Sequence, residues 1–193
     1  MTTTQEPLVV VREQGTRHIP GQPDMWVFVF FESLVFTAYF CVYLYSRTQH
    51  ERAFLHGQSQ LLAWLGVLDT VVLLTSSWTM ARCVQHARAG RYAPARRDAF
   101  LTAGLGFVFL VLKIVEWVRL IHLGHTFTSS EFFQYYFFLT AIHCVHLLIG
   151  FVVLGVLVWK LSASQEIVET CATYWHTVDF FWVLIFALLY VVR

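Results

Sequence analysis

Nine ionisable residues interrupt stretches that are otherwise apolar: Glu32, Asp69, Lys113, Glu116, Arg119, His143, His146, His176 and Asp179. Insertion scales put a charged side chain at a bilayer centre at about 2.5–3.5 kcal/mol, so each needs a partner, a shallow depth or a neutral form. Lys113, Glu116 and Arg119 recur every third residue and so share a helical face, on which Glu116 can pair with either cation. An ion or proton relay is one reading. The simpler one is a self-neutralised cluster near the outer end of a span, set against a lipid headgroup or a neighbouring element.

Glu32 has nothing basic within four residues and sits among Phe28, Phe30, Phe31 and Phe36. Such a carboxyl is expected to be protonated or hydrogen-bonded to another span, and Asp69 presents a similar case with a weaker pattern around it. His143 and His146 lie three apart on one face, a spacing open to a metal half-site or to haem axial ligation. Yet a membrane bis-histidine haem takes its ligands from two facing helices, and a metal wants further donors. Interhelical hydrogen bonding by neutral imidazoles is therefore expected.

The run Tyr174 to Trp182, YWHTVDFFW, sets His176 and Asp179 three residues apart at the start of an apolar segment. The two can pair along their own helix, or the aspartate can accept from the indole of Trp175 or Trp182. The run reads as a packing and assembly element rather than a catalytic one. No GxSxG, HExxH, phosphate-cradling glycine loop or dinucleotide fingerprint occurs. Transport has little support either, because the spans contain no proline and no internal repeat. Gly104, Gly106, Gly150 and Gly155 read as sites of close helix approach.

The elements that position these groups must be membrane helices. Of the 193 residues, 58% are hydrophobic and 13% charged, and mean hydropathy is +0.61, against roughly 45–50% apolar and about 25% charged for soluble domains. A net charge of +1 without a lysine-rich tail offers nucleic acid no attraction. Cys41, Cys83, Cys144 and Cys171 show no CxxC spacing, which argues against a disulfide framework or a zinc site.

A bilayer core of about 30 Å needs roughly 20 apolar residues. Five segments meet that length, near 25–45, 61–81, 99–121, 133–160 and 173–192. The fold class is all-α: an integral membrane bundle of five transmembrane helices over 24–193, preceded by a polar arm over 1–23. That arm has too short an apolar run, Leu8 to Val11, for a signal peptide. Polar connections separate the spans, with Gly90 and Pro94 breaking the second and Gly124 the third. Arg82, Arg88, Arg91, Arg96 and Arg97 concentrate in the second connection, over 82–98, which places it in the cytoplasm. The N-terminus is then cytoplasmic and the C-terminus outside. Trp26, Tyr43, Trp78, Trp159, Tyr174 and Trp175 fall near span ends, where aromatic rings favour the headgroup layer.

Three segments together resemble one family. GQPDMWVFVFFESLVFTAYF is similar to the G-x-x-x-M-x-x-F-x-x-x-E-x-x-x-F pattern of haem–copper oxidase subunit III. KIVEW followed by FFLTAIHCVHLLIG resembles that family's glutamate–aromatic pair and its F-F-x-x-T-G-x-H-x-x-H-x-x-x-G stretch. YWHTVDFFWVLIFALLY resembles its Y-W-H-x-V-D-x-x-W ending. The likeness covers residues 21–193, in the family's order.

This resemblance implies a non-catalytic subunit of a bacterial respiratory haem–copper terminal oxidase in the inner membrane. Glu32, Glu116, His143, His146, Trp175, His176 and Asp179 fall on motif positions, with contact to subunits or lipid as their implied role and no catalytic, cofactor or metal site. Haem and copper would sit in partner subunits I and II. Phospholipid would bind between helices, and the subunit would support complex stability and proton uptake. Departures are five spans where the mitochondrial type has seven, and Ala141 in place of the usual glycine. These resemble bacterial quinol oxidase subunit III and a small branch associated with nitric-oxide reductase. An accessory reductase subunit is thus an alternative, and a b-type cytochrome anchor with His143 or His146 on haem is one of another class.

Overall fold

The computed structural model describes residues 22–162 and 164–192. Helix α1 runs Pro23–Gln49, α2 Glu51–Ser59, α3 Ala63–Arg88, α4 Tyr92–His122, α5 Glu131–Lys160 and α6 Gln165–Phe186, the last continued by a wide π-helical turn, Ala187–Val191. All except the short α2 are long and apolar enough to cross a membrane. A lipid environment explains the uniformity, since hydrocarbon cannot satisfy backbone polar groups and a helix satisfies its own. Apart from Pro23, which opens α1, and Gln22 before it, the polar arm lies outside the described residues.

The connections are shorter than the polar segments in the sequence. The stretch 46–60, read as a loop, contains α2. The arginine-rich stretch is helical except for Ala89 to Arg91. Pro94 does not break the chain there, because it occupies the first turn of α4, where a backbone N–H has no intrahelical partner to lose. Gly90 does make the turn: its φ of 70° is a left-handed conformation, and the next N–H, of Arg91, reaches back to His86 O at 2.9 Å. Gly124, at φ 84°, ends α4 in the same way, with His125 N–H donating to Leu120 O. The last helix begins at Gln165 rather than near 173, because the hydroxyl of Ser164 accepts from Ile167 N–H and starts it.

Helices α3 and α4 form an antiparallel pair with the most extensive contact in the molecule, and α6 packs on both α3 and α5. Half of the most apolar 18-residue window of α6 is buried, against 11% for α1. That contrast makes α6 the central helix and α1 a peripheral one. Trp175, Trp182, Phe109, Tyr136 and Leu139 form the fully enclosed core. The outer faces carry Phe30, Phe31, Val152 and Trp159, large apolar side chains that lipid or another subunit would cover.

Candidate functional site: buried polar groups between the helices

The motif residues separate into three groups, each built where two or more helices meet. The first joins α1 to α5. Glu32 Oε2 lies 3.3 Å from His146 Nε2, and Nδ1 of the same ring lies 2.9 Å from Ile142 O. Phe36 packs edge-on to this imidazole and stacks on Phe181 of α6. Glu32, isolated in sequence, thus finds its partner on another span. A groove of about 350 Å³ runs beside the pair, walled by Phe31, Val35, Tyr39, Leu139 and Val145.

The second group lies on the α3–α6 seam. Trp175 Nε1 donates to Ser76 Oγ at 2.9 Å, and Trp182 Nε1 to Thr70 Oγ1 at 3.1 Å. His176 Nδ1 is 2.6 Å from Ser77 Oγ. The expected pairing of His176 with Asp179, and of either indole with Asp179, is therefore replaced by bonds from α6 to α3. A serine or threonine hydroxyl on the facing helix offers both a donor and an acceptor. Asp179 is buried at 4% exposure with neither oxygen hydrogen-bonded. Ser77 is its polar neighbour, and that hydroxyl lies 2.6 Å from His176 Nδ1.

Trp175 is also fixed by shape. A Cβ on Gly106 of α4 would lie 3.1 Å from its Cη2, and one on Gly150 of α5 would lie 3.0 Å from its Cζ3. The indole is clamped between two helices that approach it through hydrogen atoms only. Gly104 and Gly155 have nothing within 4 Å, so the close approach expected at all four glycines holds for two.

The third group surrounds Lys113, at the end of the bundle where α3 begins and α4 and α6 finish. Lys113 Nζ is 2.7 Å from Glu116 Oε2 and 2.9 Å from Asp69 Oδ2, with no exposed surface on any of the three. Tyr190 Oη donates to Glu116 Oε2 at 2.8 Å. The ammonium also faces the ring of Trp182, 4.5 Å from its centroid. Glu116 does take a cation from its own helix, and of the two settings expected, a lipid headgroup or a neighbouring element, the cluster has the second, meeting Asp69 of α3 and Tyr190. It is enclosed, and Arg119 turns away to donate to Gln60 O at 3.2 Å. His143 lies beside it on α5, against Phe109 and Trp182, with Nε2 unpartnered. The interhelical bond expected of its imidazole is thus not made through that nitrogen.

Sequence reasoning passed over three contributors. Asp98 is wholly buried and meets Arg82 at 3.3 Å and His86 at 3.5 Å, a trio spread over two helices that no local spacing reveals. Glu169 binds Arg88 at 2.8 Å across the same end of the bundle. Tyr190 had only its place near the chain end to mark it. Among the described residues no group of three or more His, Cys, Asp or Glu side chains is placed to hold a metal ion. The ring nitrogens of His146 already face Glu32 and Ile142, so neither offers a vacant ligand position.

The family model for cytochrome c oxidase subunit III matches residues 21–192, a span that includes all five long helices and each paired group above. Cytochrome c oxidase subunit 3 of Thermostichus vulcanus is 27% identical over 197 residues, covering 94% of this chain and 96% of that protein. A probable cytochrome c oxidase subunit 3 of Nocardia farcinica is 29% identical over 168 residues, covering 84% and 83%. A haem–copper oxidase subunit I+III of Aeropyrum pernix is 25% identical, over 87% of this chain and 22% of that longer protein. With the matched model running from the start of α1 to the last described turn, the chain belongs to the cytochrome c oxidase subunit III family.

Proposed function

We propose that the chain is the non-catalytic subunit III of a bacterial respiratory haem–copper oxidase, seated in the inner membrane beside subunit I. The observation that carries this is the family match through every long helix, joined to polar groups that bond to one another rather than converge on a substrate. Haem and copper belong to partner subunits in this reading. His146 is occupied on both ring nitrogens, and His143 is packed between Phe109 and Trp182, which disfavours a haem anchor. The relatives named as cytochrome c oxidase subunits favour an oxidase over a nitric-oxide reductase. That the Aeropyrum protein carries I and III in its name supports direct contact with subunit I.

In this reading Arg82, Arg88, Arg91, Arg96 and Arg97 mark the cytoplasmic side, with the N-terminus inside and the C-terminus outside. The apolar groove between α1 and α5 receives a phospholipid acyl chain, and a lipid-filled rim steadies the complex during turnover and supports proton uptake by subunit I. The experiment is affinity purification of the tagged subunit from its native membrane in mild detergent. Co-purification of a haem–copper subunit I, with its optical spectrum, is the expected result, and native mass spectrometry should find bound phospholipid. Recovery of the chain without any haem–copper subunit would overturn the assignment.

A further inference from the structure

The Lys113 group contains one cation and two carboxylates, all without exposed surface. With both carboxylates ionised it would carry one uncompensated negative charge, a state that a low-dielectric interior disfavours. Among the described residues no second cation supplies the balance. Arg119 is directed to Gln60 O. His143 lies beside the cluster on α5, packed against Phe109 and Trp182, and its Nε2 has no hydrogen-bond partner. Tyr136 of α5 and Tyr190 at the end of α6 are phenols, neutral donors.

The two carboxylates are not equivalent. Glu116 Oε2 accepts from both Lys113 and Tyr190. Asp69 has only the 2.9 Å ion pair of its Oδ2 with Lys113, and neither of its oxygens accepts a hydrogen bond. The better-solvated group keeps the charge. We propose that the Asp69–Lys113–Glu116 cluster is a buried proton-binding site, holding one proton on Asp69 while Glu116 remains the carboxylate partner of Lys113. The cluster is then neutral, and the proton can leave only if another charge arrives. This site does not depend on the oxidase reading, since it follows from charges enclosed within the chain itself.

Infrared spectroscopy of the purified complex at neutral pH tests it, in an Asp179→Asn background that removes the buried aspartate without an ion-pair partner. The expected spectrum has a carboxylic-acid C=O band that moves in D2O and shifts on 13C-carboxyl labelling of aspartate, not of glutamate. Asp69→Asn abolishes the band. Glu116→Gln abolishes it too, because Asp69 then becomes the only anion available to Lys113. Lys113→Met doubles it, since both carboxyls are then neutral. A band that shifts only on glutamate labelling, one that survives Glu116→Gln, or no band at all overturns the proposal. The labelling arm needs no change within the cluster, so it decides the matter even where an Asp69 variant fails to assemble.

Discussion

Glu32 Oε2 and His146 Nε2 stand 3.3 Å apart, and because a carbonyl can only accept, the 2.9 Å contact between His146 Nδ1 and Ile142 O puts a hydrogen on Nδ1. That leaves Nε2 to face the Glu32 carboxyl across the gap between α1 and α5. The pair matters mechanically, because α1 has few close backbone neighbours besides α6 and α2. Long side chains bridge the gap to α5, among them Ser46 to Tyr135 at 2.8 Å and Tyr39 against Phe138. The splay that leaves room for the groove is the reason the bridge must be a side-chain one.

Glu32→Gln keeps a donor for Nε2, whereas Glu32→Ala leaves Nε2 of His146 unpartnered. The alanine variant is expected to loosen α1 by about 1–2 kcal/mol, in the range of interhelical hydrogen bonds in membranes, and the glutamine variant by much less. Thermal unfolding of the purified complex, with protease access to the α1–α2 junction, reads the difference. Equal behaviour of the two variants would show that the hydrogen bond contributes nothing.

The clamp on Trp175 predicts a contrast between glycines. Gly150→Ala and Gly106→Ala push a methyl against the indole and should each cost about 1–3 kcal/mol, as overpacked cores do. Gly104→Ala and Gly155→Ala meet open space and should stay within about 0.5 kcal/mol of the parent. Denaturation midpoints in a mixed-detergent titration check the order, and a uniform response at all four positions would contradict the clamp.

The bond from Trp175 Nε1 to Ser76 Oγ is suited to a double-mutant cycle with Trp175→Phe and Ser76→Ala. A coupling of about 0.6–1.7 kcal/mol is expected from measured membrane hydrogen bonds. Additive single effects would mean that the two residues contribute separately, by packing alone.

Asp98→Ala strands Arg82 and His86 beside an apolar interior. Removing one partner of a buried pair costs about 3–5 kcal/mol, and with Arg82 31% exposed the lower end is expected. The contact of His50 with Glu131 is 61% and 35% exposed on its two side chains, so His50→Ala should change stability by no more than about 1 kcal/mol. Levels of folded subunit in membranes, measured by trypsin resistance, should fall for the first variant and hold for the second.

Orientation can be read with a membrane-impermeant thiol reagent. A cysteine replacing Ala89 should be labelled only after the cells are opened, and one replacing Thr128 should be labelled in intact cells. The reverse pattern would place the arginine-rich turn outside.

Much of this molecule is legible from local sequence, because bilayer thickness acts on about 20 consecutive residues at a time. The number of spanning helices, the turns at Gly90 and Gly124 and the Lys113–Glu116 contact all depend on neighbours along the chain. The start of α6 at Gln165 was harder to see, since Glu166 and Glu169 make the first turns polar. Only the packed structure shows that Glu169 meets Arg88 there.

What the amino-acid order determined alone is the set of helices and which polar groups needed partners. Which partner each one took was decided by helix packing. Ser76 and Trp175 are 99 residues apart and Lys113 and Tyr190 77, separations at which no helical periodicity relates one residue to another. The antiparallel placement of α3 against α4, with α6 laid across both α3 and α5, brings those side chains within bonding distance. A buried polar group is costly until such a contact forms, so the pairs help to fix the packing that creates them.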